Sequence, residues 1–256
     1  MKIKYYFKRI FNNRLKLSIT LLLIIYPIID FFMILLDVQR GASVPIANMA
    51  SFLTSSIYNV CQILLLWYLP LYLLLIVADD CIEDYKIGYK NILVSKFGKK
   101  KYLFTNIIKG FIIGFSVIFS SLMINLIMTQ ITFAGGTYNV YDADTVNTID
   151  NLRSALEHPL LTNIVYIFIA SFISGIVGVG AVSLSIAIHS RIVVYPATFI
   201  LWYIPTSIFE RSIILALQPF TEYSILDAMH SFLFALFINL AAVIFAYIKE
   251  TKYENL

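Results

Sequence analysis

Charge is what this 256-residue sequence has least of. Acidic and basic residues make up 13% of it against 60% hydrophobic, with a mean hydropathy of +0.83. That balance excludes water as the main solvent. Cysteine is almost missing: Cys61 and Cys81 fall on one apolar stretch and its extension, roughly 30 Å apart at 1.5 Å per helical residue, too far for a disulfide. The three histidines, His158, His189 and His230, belong to different segments, which excludes a zinc cluster. No G-x-x-x-x-G-K-[ST] loop occurs, so the chain is not expected to hydrolyse ATP. Paired intramembrane acids or a serine dyad, as an intramembrane protease needs, are missing too, and the chain reads as a non-enzyme. The glycines of Ser174, Gly175, Gly178, Gly180 and Ala181 follow no strand, which argues against a dinucleotide loop.

What is present is greasy length. Apolar stretches near 17–36, 57–78, 106–133, 161–188, 192–208 and 228–248 each approach the roughly 20 residues a helix needs to cross a bilayer. Six spans and their loops use nearly the whole chain, so residues 1–256 read as one all-α membrane domain without room for a separate soluble domain of ~100 residues. The spacing of Ser171 with Gly175, Ser174 with Gly178, and Gly110 with Gly114 suits close helix packing.

The few charges set an orientation. Lys2, Lys4, Lys8, Arg9, Arg14 and Lys16 precede the first span without an acid, and Lys86 through Lys101 follow the second. Both segments are expected in the cytoplasm. The segments Val38 to Ser56 and Gly135 to Pro159 carry few basic residues and read as external. An even number of crossings returns Lys249 and Lys252 to the cytoplasm, with His189 to Arg191 as a tight inner turn. The result is a multi-pass cell-membrane protein with both termini cytoplasmic. The net charge of +4 therefore orients spans and gives no reason to expect nucleic acid. Ile3, Tyr6, Phe7, Ile10 and Phe11 recur at helical spacing, as in an amphipathic helix lying in the interface. Lys109, at the inner end of the third span, is expected to snorkel to headgroups.

The inner segment 79–101 is far longer than a turn requires. Ile82, Tyr85, Tyr89, Ile92, Leu93 and Phe97 advance by threes and fours, while Glu83, Asp84, Lys86 and Lys90 fall mostly off that face. This spacing predicts a single amphipathic helix over 82–97 at the inner membrane surface, stopped by Gly98. On periodicity alone it could simply anchor a loop.

An acidic pair, a tyrosine and glycine, then an apolar helix closed by a basic patch feeding a long third span resembles the inner loop of ABC-2 type transporter permeases. The matching residues are Asp84, Gly88, Tyr89, Ser95, Lys96, Lys101 and Tyr102, and the topology extends the resemblance over most of the chain. The resemblance implies that Glu83, Asp84, Tyr85, Lys86, Gly88, Tyr89, Ile92, Ser95 and Lys96 form a coupling helix docking on a separate ATP-binding cassette subunit. That subunit would bind ATP and Mg, leaving no cofactor in this chain. A second permease, a copy or a paralogue, would complete a homo- or heterodimer.

Polar residues within the spans are candidates for a translocation path or for helix joining: Asp30, Asn59, Gln62, Asn125 and Gln130. The stretch from Pro205 to Leu226, interrupted by Glu210, Arg211 and Pro219, is too broken to cross and is expected to form short outer re-entrant helices. The cavity should be apolar and aromatic, suiting an exporter of amphipathic cargo such as an antimicrobial peptide, lipid or drug. An ATP-independent carrier or channel, or a membrane scaffold or sensor, are the alternatives.

Overall fold

The computed structural model describes residues 3–54, 60–137, 150–207, 212–220 and 225–253, and no β-strand occurs among them. The helices are α1 (Ile3–Asn12), α2 (Arg14–Gln39), α3 (Val60–Trp67), α4 (Leu69–Leu73), α5 (Asp79–Lys86), α6 (Tyr89–Phe97), α7 (Lys99–Thr132), α8 (Asp150–Glu157), α9 (Pro159–Ile188), α10 (Arg191–Ser207) and α11 (Ile225–Ile248). A π-helical turn, Leu74–Ala78, joins α4 to α5.

Four helices, those at α2, α7, α9 and α11, are long and apolar enough to cross a membrane, or five if the bent pair Val60–Trp67 and Leu69–Lys86 is one span. The expected second span is therefore broken, with a bend of 56°. The expected fifth, α10, has only 17 residues and contains Pro196 and Pro205. Large apolar side chains stay exposed around the bundle, among them Ile131, Ile192 and Phe237, a surface compatible with a lipid solvent.

Helix α9 sits at the centre, packed against α7, α10 and α11. Its small residues explain why. A Cβ on Gly110 would lie 2.8 Å from the carbonyl oxygen of Gly178, and one on Gly114 would meet that of Ser174 at the same distance. The two backbones are thus in direct contact, and Ser174 Oγ donates across them to the Gly114 carbonyl at 3.0 Å. The small-residue spacing works within one subunit, where dispersion and hydrogen bonding replace the hydrophobic effect as the drive for association.

Proline explains two further inter-helix bonds. Pro27, inside α2, has no N–H for the carbonyl of Leu23, and Ser121 Oγ on α7 donates to that oxygen instead, at 2.7 Å. Pro70 likewise frees the carbonyl of Leu66 at the break between α3 and α4, and Trp202 Nε1 on α10 donates to it at 2.9 Å. Both of these freed carbonyls are satisfied by a neighbouring helix, as apolar surroundings demand.

The expected single helix over 82–97 is two. α5 ends at Lys86, Gly88 adopts φ 73°, and α6 begins at Tyr89. Only glycine takes that left-handed conformation without steric cost, so the turn resets the helical phase. Asp84 and Lys90 are consequently buried, while Tyr85 and Ile92 are exposed, the reverse of the sorting that a continuous wheel predicts. Ile82 and Leu93 do face the core.

Candidate functional site

Helices α1, α5 and α6, the start of α7, the turn after α9 and the π-helical turn Lys249–Tyr253 all meet at one end of the bundle, and charge joins them. Asp80 is the hub. Its carboxylate accepts from Lys16 at the base of α2, from Lys109 on α7 at 2.9 Å, and from Arg9 on α1 at 3.1 Å. Asp80, Lys16 and Lys109 are 2%, 3% and 5% exposed. Burial alone would push the Asp80 carboxyl up, but the three cations overcome it and hold the group below its ordinary range.

Arg9 extends the cluster to the inner segment. Its Nη1 reaches both Asp84 oxygens, at 3.0 and 3.1 Å, and its Nη2 lies 3.7 Å from Glu83. Burial pulls the guanidinium down, yet Asp80, Asp84 and Glu83 raise it further above its already high value. Asp84 goes the other way: burial raises its carboxyl, with Arg9 opposing. Lys109 is thus no snorkelling residue. It is locked to a buried carboxylate, and hydropathy could not reveal this because Asp80 lies far from it in sequence.

A second knot lies beside the first. Lys90 Nζ on α6 donates to Glu250 at 2.5 Å and sits 3.2 Å from His189 Nε2. His189, at φ 57° closing α9, stacks its ring on Tyr85 with centroids 3.7 Å apart. Arg191 then binds both oxygens of Asp79 at 2.6 Å each. The hydrogen bond to Asp79 is the main reason that its guanidinium is raised. Cys81, buried next to Asp80, has its thiol pushed up to about 12 by desolvation, and Cys61 is buried as well. They are inert packing residues.

What this end leaves uncovered matters most. Ile87 and Ile92, 69% and 62% exposed, flank the Gly88 turn, with Tyr85, Lys86, Asn91, Ser95 and Lys96 also exposed and Tyr89 half-buried. The expected docking residues therefore divide: Glu83, Tyr85, Lys86, Ile92, Ser95 and Lys96 face outward, while Asp84 is anchored inward. Ile87 was not among them, and its exposure follows only from the break at Gly88.

At the opposite end the residues that fasten the non-spanning segment are neutral amides. Residues 47–53, in a segment expected to be a plain external loop, fold inward, with Ala50, Phe52 and Leu53 buried. Asn125 accepts from Phe52 N at 2.9 Å and donates to the Pro27 carbonyl at 2.7 Å. Gln130 donates to Asn48 Oδ1 at 2.7 Å, and Gln62 donates to the Leu53 carbonyl at 3.4 Å. Each of these three is spent on tying the folded-in segment to a helix. Asp30 is fully buried in α2. Asn59, Glu210 and Arg211 lie outside the described residues. Pro219 is buried beside the short 3₁₀ turn Leu215–Leu217, and Ile213 donates its N–H to the Pro205 carbonyl at 3.0 Å, so this element packs onto the end of α10.

Among the described residues no group of three or more His, Cys, Asp or Glu could hold a metal ion. No family model and no solved structure matches the chain. Over 250 residues it is 34% identical to an uncharacterized Bacillus subtilis protein, YybM, in an alignment that covers 96% of this chain and 97% of that one.

Proposed function

We propose that this chain, which belongs to the same family as YybM, is the membrane-spanning permease subunit of an ABC-2 type transporter. In this reading the bent α3–α5 unit and the short α10 join the four long helices to make six crossings. The ion-paired end lies in the cytoplasm, and a partner subunit hydrolyses ATP with its own Mg.

The observation that supports the reading most is the exposed pair Ile87 and Ile92, on either side of the Gly88 turn in a segment whose base is held by buried charge. Two large aliphatic residues at the tip of a polar segment are costly in water and suit an apolar cleft on another protein. The base is rigid and linked to α1, α2 and α7 by Asp80 and to α10 by Asp79. Displacing the tip would move several spans together. The transported molecule would be amphipathic, such as a peptide, lipid or drug, and two permeases would enclose its path.

The test is co-expression with the soluble ATP-binding subunit that the reading expects a neighbouring frame to encode. Ile87→Asp and Ile92→Asp should each abolish co-purification and the complex's ATPase activity while leaving the melting temperature of the permease unchanged. Undiminished co-purification of both variants would remove the docking assignment. Asp30, buried inside α2, favours an ion-coupled carrier as the next reading.

A further inference from the structure

At the end away from the ion cluster lies an open-sided pocket of about 220 Å³, bordered by α3, the last turn of α10 and the segment 212–220. Leu66, Trp67 and Ile214 form its apolar wall, and Gln62, Ser212 and Gln218 contribute polar atoms. No ionisable side chain lines it among the described residues. Ile63, at its lip, is exposed, so the pocket opens at the bundle surface.

We propose that this pocket binds the apolar part of a neutral amphiphile: one ring, or a branched group of similar size, carrying a hydroxyl or amide. Volume sets the first limit. A cavity of roughly 150 Å³ accepts benzene, and whole drug-sized ligands need about 300 Å³ or more, so 220 Å³ holds a substituted ring and excludes a whole peptide. Charge sets the second, because a bound ion would find no counter-charge among the described lining residues.

The polar atoms set the third. Ser212 Oγ donates to the Thr206 carbonyl at 2.7 Å and accepts from Ile214 N at 3.2 Å, which fixes the lip. Gln218 makes no hydrogen bond among the described residues, so its amide is left to pair with a ligand's head. A plain hydrocarbon tail would cover that amide without satisfying it. The wall is also preformed: Trp202 holds the Leu66 carbonyl directly behind it, so little ordering is required on binding. A role as a cargo subsite rests on the transporter reading, whereas binding itself does not.

The full chain in lipid nanodiscs is titrated with 4-bromobenzyl alcohol, a ring with one hydroxyl and a heavy atom that quenches tryptophan. Trp67 on the wall and Trp202 behind it are the only tryptophans. Quenching should saturate in the wild type and in Ile131→Phe, a substitution on the exposed face of α7. It should become weak and linear in Ile214→Phe, which fills the pocket. The charged 4-bromobenzoate should give no saturable component. Should Ile214→Phe fail to fold, Ile63→Phe at the lip carries the same comparison. Linear quenching in the wild type, matched by the filled variant, would mean partitioning into lipid only and would overturn the proposal. So would quenching by phospholipid brominated at its chain ends that Ile214→Phe relieves and the alcohol does not displace, because a lipid tail would then be the occupant. No ATPase enters the assay, so its outcome is separate from that of the docking test.

Discussion

The two ends of the bundle solve one problem in opposite ways. Both must fasten a non-spanning segment to long apolar helices. At one end the fastening is ionic, with Asp80 gathering Lys16, Lys109 and Arg9. At the other it is neutral, with Asn125, Gln130 and Asn163 binding the folded-in residues around Asn48 and Phe52. Amides meet each partner through one or two directed hydrogen bonds, so each can be lost singly. A buried carboxylate shared by three cations cannot, since every member depends on the rest. An element that has to move several helices together is better served by the ionic end, and an element that closes a cavity by the neutral one.

Asp80→Asn offers the largest way to break this contrast. It leaves Lys16 and Lys109 buried without their shared anion, and removal of one partner from a buried pair typically costs about 3–5 kcal/mol. A steep fall in the melting temperature of the purified protein is expected. Replacing Asp80 by Leu together with Lys16 and Lys109 by Met should recover most of it, because the desolvation penalty then disappears along with the attraction.

At the neutral end Asn125→Leu should cost less, about 1–3 kcal/mol, since it strands the Phe52 N–H and the Pro27 carbonyl as unpaired polar groups. The melting temperature should move in the same direction as for Asp80→Asn, but not as far. An equal or larger drop would erase the distinction between the two ends.

Acid sharpens the comparison further, because the Asp80 and Asp84 carboxyls of the ionic fastening titrate and the amides of the neutral one do not. The carboxyl of Asp84 is raised by burial, so the folded chain takes up this proton at a higher pH than the unfolded chain does. Acidification through that value therefore adds stability. Asp80 is held below its ordinary value, despite burial, by its three cations. Its contribution is complete above the unfolded value of about 3.9 and is lost as pH falls through the lower folded value. Melting temperature should thus rise slightly on mild acidification and fall only below about pH 4, with the rise missing in Asp84→Asn.

The smallest expected effect is that of Arg40→Ala. Its ion pair with Asp37 at 3.8 Å is exposed on both sides, and such pairs contribute little once solvent screens them. No measurable shift should be seen.

Much of this was legible in advance. The apolar stretches placed α2, α7, α9 and α11, because hydrocarbon length is written directly in composition. The small-residue spacing of Gly110, Gly114, Ser174 and Gly178 foretold where backbones would touch. The inner segment was recognisable as more than a turn, but its faces were missorted. Periodicity assumes an unbroken helix, and the Gly88 turn separates α5 from α6. Lys109 was misjudged for a different reason: a lone lysine at a span's end has a cheap solution at the headgroups, and only a partner from elsewhere in the chain makes burial better.

Composition and local pattern by themselves determined that this chain is helical, that its helices suit an apolar solvent, and which of them approach most closely. These properties depend on neighbours within a turn or two of helix or on the length of a run. The tertiary structure alone decided that Asp80 binds Arg9, Lys16 and Lys109, that Trp202 and Ser121 satisfy the carbonyls freed by Pro70 and Pro27, and that Ile87 and Ile92 are left exposed. Coulombic and hydrogen-bond partners are selected by distance in space, and separations such as 64 residues between Lys16 and Asp80 leave no periodic trace along the chain.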